Sequence, residues 1–170
     1  MKNIGRWIAL AVAGVAAAVI LVTLTGFFLS PVITAHASVE IARPQAEVFH
    51  FLSNVENLPL WSSEVKTVRK VSSNPLRYQI GGSAGEMETE VLSLDPPHRY
   101  RARMGSPGAS FSGEWEITVE PAASGSRVTS DARIRIGNPF FRGLALFLNG
   151  NKAEEAPLLE LKRHMEARPR

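Results

Sequence analysis

The chain has 170 residues, room for one ordinary domain whose core can form without metal or disulfide staples. With no cysteine, a disulfide framework, a thiolate zinc site and a cysteine nucleophile are excluded. Lys2 and Arg6 supply two of the three net positive charges; taking them from 19 basic residues leaves 17 against 16 acidic ones, so the rest is near neutral and lacks the unopposed basic cluster a nucleic-acid partner needs.

Residues 1–6 form a short basic N-terminus. From Trp7 to Leu29 no residue is charged, and a helix of that length reaches roughly 34 Å, enough for a hydrocarbon core of about 30 Å. Residues 7–29 are therefore expected to be one transmembrane helix. No Lys or Arg follows until Arg43, so the positive-inside bias predicts a cytoplasmic N-terminus and an extracytoplasmic domain. Ala35-His36-Ala37 has the form a signal peptidase accepts, and cleavage at Ala37 would make the domain secreted or periplasmic. The apolar run exceeds the usual h-region of about 7 to 15 residues, which favours an uncleaved anchor at the cell membrane.

Residues 30–37 read as a linker, and 38–167 as the domain. Ser38 to Ala42 alternates as a strand. Pro44 to Leu52 reads as a helix, with Glu47 in its first turn and Val48, Phe51 and Leu52 on one face; Asn54 to Leu58 suits one further turn. Val65 to Ile136 reads as a succession of strands, broken at Ser72–Pro75, Gly81–Ser83, Asp95–Pro97, Ser106–Gly108 and Ser124-Gly125. The tail from Pro139 to Ala167 is helical, and Asn149-Gly150-Asn151 with Pro157 predict a bend or split in it.

Within the strands, acidic and basic residues alternate with apolar ones. Facing Glu90 with Arg101, Arg101 with Glu116 and Glu116 with Arg133 makes one row; Glu88, Arg103, Glu114 and Arg135 make a second. This predicts a meander with a solvated charged face and an inner face of Met87, Tyr100, Met104, Trp115, Ile117, Val128 and Ile134. Asp131 and Glu40 fall on the outer side. That inner face needs a cover, for which the C-terminal tail is the candidate.

Chemistry-bearing patterns are sparse. His36 precedes the first strand, His98 sits in a turn, His164 lies in a charged helix end and His50 points off its helix's apolar face. No metal-ligand spacing occurs. Gly81–Gly85 lacks the ending of a phosphate loop and the setting of a nucleophile elbow. Tyr100 and Thr89 are the residues an enzyme would use, with Tyr78 and Ser130 as further polar groups.

VEIARPQAEVFHFLSNVENLPLWSSEVKTVRKV (Val39 to Val71), LDPPHRYRAR (Leu94 to Arg103) and GEWEITVEP (Gly113 to Pro121) resemble polyketide cyclase/dehydrase-type members of the SRPBCC superfamily, which includes START lipid-transfer domains and plant pollen-allergen relatives. The resemblance runs from about Ser38 to Ala167. It implies an α+β helix-grip fold: a curved seven-stranded antiparallel sheet round a long C-terminal helix, with an internal cavity for a hydrophobic or amphipathic small molecule; from the residues themselves no cofactor or metal is expected. The lining expected here is Phe51, Trp61, Tyr78, Met87, Thr89, Tyr100, Met104, Trp115, Ser130, Phe141 and Phe147. Two functions follow, a binding domain for a lipid-like molecule or a cyclase/dehydratase-like enzyme; a structural or interaction module with a filled core is the third reading.

Overall fold

The computed structural model describes residues 2–82, 85–105, 111–147 and 155–167. Helix α1 (Lys2–Phe28) leads through three residues into β1 (Val32–Ile41). Helix α2 (Gln45–Ser53), a 3₁₀ turn (Val55–Asn57) and the short α3 (Leu58–Trp61) precede the remaining strands: β2 (Val65–Ser73), β3 (Leu76–Gly82), β4 (Gly85–Asp95), β5 (Arg99–Met104), β6 (Phe111–Ala122) and β7 (Gly125–Ile136). Helices α4 (Pro139–Phe147) and α5 (Glu155–Ala167) follow, so the tail is split as its glycine and prolines predict; residues 148–154 between them lie outside the described residues, as do 106–108 of the predicted turn.

The seven strands form one antiparallel sheet in the order β1-β7-β6-β5-β4-β3-β2. Helix α2 starts after Pro44, whose carbonyl accepts from Val48 N at 3.1 Å, and buries Val48, Phe49, Phe51 and Leu52. Helix α5 lays Leu158, Leu161 and Met165 into the same core, with Ile41, Val119 and Val128. Its ends are fastened by polar contacts: Ser63 N and Oγ donate to the Glu160 carboxylate at 2.8 and 2.7 Å, Ala42 N to Glu166 at 3.0 Å, and the buried Arg43 Nε to Met165 O at 3.1 Å.

Two expectations are corrected here. The segment 30–37 is not a linker, because β1 starts at Val32 and pairs with β7 from Val32↔Arg135 to Ile41↔Ser126. Ala35 and Ala37 face inward there, and their small side chains hid the alternation. His36 is thus inside the strand, paired with Asp131 at 2.8 Å, and cleavage after Ala37 would remove six of the ten residues of β1.

The charged ladder exists, shifted by two residues at its flanks. Arg101↔Glu116 and Arg103↔Glu114 face each other as expected, but Glu90 faces Arg103 and Glu114 faces Arg133. The tight reversal between Ala122 and Gly125, and the bulge between Val91 and Ser93, set these registers. One alternating row, Arg77, Glu90, Arg103, Glu114, Arg133, therefore crosses five strands on the outer face.

Candidate functional site

Because every register error was even, side chains kept their faces. The inner face carries three cross-strand rows. Tyr78, Thr89, Met104, Gly113, Ile134 and Ile33 make the first. Val91, Ala102, Trp115, Ala132 and Ala35 make the second, and Tyr100, Ile117, Ser130 and Ala37 the third. Gly113 is needed where it stands: a Cβ there would strike the Trp115 ring, which lies flat along the sheet towards it.

The structure thus brings Tyr78, Thr89, Met104, Trp115, Tyr100 and Ser130 onto one concave surface, with Met87 beside Ile80 at its margin. Phe51 reaches it from α2. His164 of α5 stacks on Phe51 with ring centroids 5.2 Å apart and 16° between planes. His164 is therefore half-buried between two helices rather than exposed at a charged end; sequence reasoning missed it because Leu161 and Met165 place it on the flank of the buried stripe. Trp61 of α3 is half-buried against the same core.

One expected lining residue is elsewhere. Phe141 is 56% exposed on α4, which packs on α1 instead of on the sheet. The cause is a close helix crossing: Gly26 sits against Pro139 and Gly143 against Val22. Phe147 closes α4, and its side chain lies outside the described residues.

Two buried polar atoms stand out. Thr89 is 5% exposed, and neither its Oγ1 nor Trp61 Nε1, both buried, has a hydrogen-bond partner among the described residues. A buried hydroxyl left unpaired costs about 1 to 3 kcal/mol, and such an atom is where a ligand's polar end gains most. Burial pushes the Tyr100 phenol well above its ordinary range, with the neighbouring Tyr78 adding to the rise; burial likewise raises Tyr78. Tyr100 stays protonated and can donate a hydrogen bond but cannot act as a base near neutrality. Among the described residues no group of three His, Asp or Glu is arranged to hold a metal.

The outer face holds shallow depressions of about 370 and 440 Å³, walled by the salt-bridged strands around Glu114 and Arg133. Charged and polar side chains open to water line much of them, a poor setting for an apolar ligand.

The fold recurs in solved structures. Protein MLL2253 from Mesorhizobium loti superimposes with TM-score 0.61 at 12% identity, covering 81% of this chain and 100% of that one. The crystal structure of Ara h 8.0201 gives 0.60 at 10% identity over 81% of this chain and 99% of that one. The di-domain ARO/CYC StfQ from the steffimycin biosynthetic pathway gives 0.60 at 13% identity over 79% of this chain and 51% of its own length. No curated protein matches the chain. Residues 32–166 match the family described as "Polyketide cyclase / dehydrase and lipid transport", a span that begins at the first residue of β1 and ends within α5. The chain belongs to that polyketide cyclase/dehydrase and lipid transport family, built on a helix-grip-like fold.

Proposed function

We propose that this protein is a membrane-tethered binding domain that holds a hydrophobic or amphipathic small molecule, lipid-like in character, on the concave face of its sheet. The observation that carries the reading is Thr89 Oγ1: a buried hydroxyl without a partner among the described residues, set between Tyr78 and Met104 on a largely apolar row. Apolar walls with one or two fixed polar atoms are what orient an amphipathic molecule. Methionine and aromatic side chains tolerate more than one ligand shape. Tethering is supported by Gly5–Phe28, a helix of mean hydropathy 2.6 with none of its apolar window buried in the protein. Together with Lys2 and Arg6 ahead of it, this favours an anchor with the domain on the extracytoplasmic side.

Titrating the full chain in lipid nanodiscs with a fluorescent fatty acid tests it. Saturable binding at one molecule per chain is expected, weakened at least tenfold in Met104→Trp, which fills the row beside Thr89. Absence of saturable uptake would remove the reading.

A second reading, a cyclase- or dehydratase-like enzyme, is favoured by Tyr100. Its buried, protonated phenol could donate to a developing enolate oxygen, and the family's description and the ARO/CYC structures make a polyketide-like substrate the one to try. Loss of turnover in Tyr100→Phe with binding retained would establish it; binding without turnover of any such substrate leaves the first reading.

A further inference from the structure

Helix α4 runs antiparallel to the outer end of α1. A Cβ on Gly26 would fall 2.7 Å from Gly143 N and collide with Pro139 O, and one on Gly143 would collide with Val22 O. Such backbone-to-backbone approach through small residues is how helices associate in lipid, where no hydrophobic force drives them together. Arg142 is the single charged residue of α4. It donates from Nη1 to Leu29 O at 3.1 Å and from Nη2 to Gly137 O at 3.4 Å, which closes a terminal carbonyl of α1 and holds the guanidinium at the level where α1 stops.

Beyond Arg142 the helix is uncharged. Phe141 and Leu146 are 56% and 57% exposed, and they extend the bare apolar surface of α1, where Leu24 and Phe27 are 55% and 70% exposed. Depth and charge identify what covers this joint surface. Val22 lies seven residues before Leu29, about 10 Å along the helix, and the nine residues of α4 extend about 13 Å, less than half of a hydrocarbon core of about 30 Å. A helix of that length can enter one leaflet and cannot cross. At the same end of the sheet, Val32 pairs with Arg135 and Thr34 with Arg133. Neither arginine has a carboxylate within ion-pair distance among the described residues, whereas Arg77, Arg101 and Arg103 on the same face are each paired. Arg135 lies opposite Ser112 and Val32, and the cross-strand neighbour of Arg133, Glu114, pairs instead with Arg103, so both guanidinium groups at the foot of the apolar helix pair suit lipid phosphates.

We propose that α4 is a second membrane-embedded element, a half-helix sunk beside α1 into the leaflet on the domain's side, with Arg133 and Arg135 at the phosphates. This rests on the reading of α1 as an anchor. The domain is then held against the bilayer in one orientation instead of swinging on a tether, and the row that carries Thr89 and Met104 ends at Ile33, beside the lipid surface. A bilayer lipid is the ligand class that this placement delivers.

The absence of cysteine makes the test direct. Single variants Phe141→Cys, Leu146→Cys, Leu24→Cys in α1 and Ala123→Cys in the distant β6–β7 turn are labelled in intact membranes with a membrane-impermeant maleimide, and again after urea denaturation to confirm equal reactivity. Labelling of Phe141→Cys and Leu146→Cys at least tenfold slower than Ala123→Cys, matching Leu24→Cys, is expected. If the two α4 variants label as fast as Ala123→Cys while Leu24→Cys stays protected, the anchor stands and the inference about α4 is overturned. If Leu24→Cys labels fast as well, the anchor reading fails and takes this one with it.

Discussion

Thr89→Val replaces a buried hydroxyl by a methyl of nearly the same shape, and it separates stability from binding. Thr89 is 5% exposed and its Oγ1 has no partner among the described residues. The desolvation of such a hydroxyl costs about 1 to 3 kcal/mol, and valine removes the cost while fitting a strand at least as well. The ligand-free protein should therefore gain about 1 kcal/mol, or about 3 to 5 °C in Tm for a domain of this size. The same change deletes the atom that would meet the ligand's polar end, so affinity should fall by about 1 to 1.5 kcal/mol, roughly five- to tenfold. Thermal unfolding of the delipidated chain, followed by tryptophan fluorescence, reads the first quantity; fatty-acid titration reads the second. A variant destabilised by more than 1 kcal/mol would refute the reasoning, because it would mean that the hydroxyl is already satisfied inside the folded protein.

Leu161 and Met165 are fully buried beneath α5, so Leu161→Ala should cost about 2 to 5 kcal/mol, measured as a lowered urea midpoint at unchanged slope. Gly113→Val should displace the Trp115 ring, shift tryptophan emission and cost about 1 to 3 kcal/mol. Hydrogen bonds from Ser63 backbone and side chain hold Glu160 below its ordinary carboxylate range, and those from Ala42 N and Lys162 do the same for Glu166. A carboxylate depressed in the folded state contributes stability above its unfolded value of about 4.3 and loses it as pH falls through the folded one. The urea midpoint should accordingly drop below about pH 4, and the double variant Glu160→Gln/Glu166→Gln should start lower and fall less.

The sheet was legible because its signal has a period of two and survives an even slip. Placing Glu90 opposite Arg101 instead of Arg103 misjudged the turn at Asp95–Pro97, yet Tyr100, Met104 and Trp115 still landed on the inner face. The start of β1 was not legible, since Ala35 and Ala37 give too little hydrophobic contrast to mark a buried face. Phe141 was misplaced for a different reason. Its apolar neighbours suit any apolar surface, and periodicity cannot say whether that surface is the sheet or α1; Gly143, opposite Gly26, was the available signal and is silent without a known partner. His164 and Arg43 were missed because pairing across 113 and 122 residues, to Phe51 and to Met165, leaves no local trace.

Native mass spectrometry of the full chain, released from membranes in mild detergent, tests the central claim most directly. The account predicts a mass excess equal to one apolar or amphipathic molecule per chain, diminished in Thr89→Val and lost in Met104→Trp. A bare polypeptide mass that stays bare after incubation with lipid would contradict it.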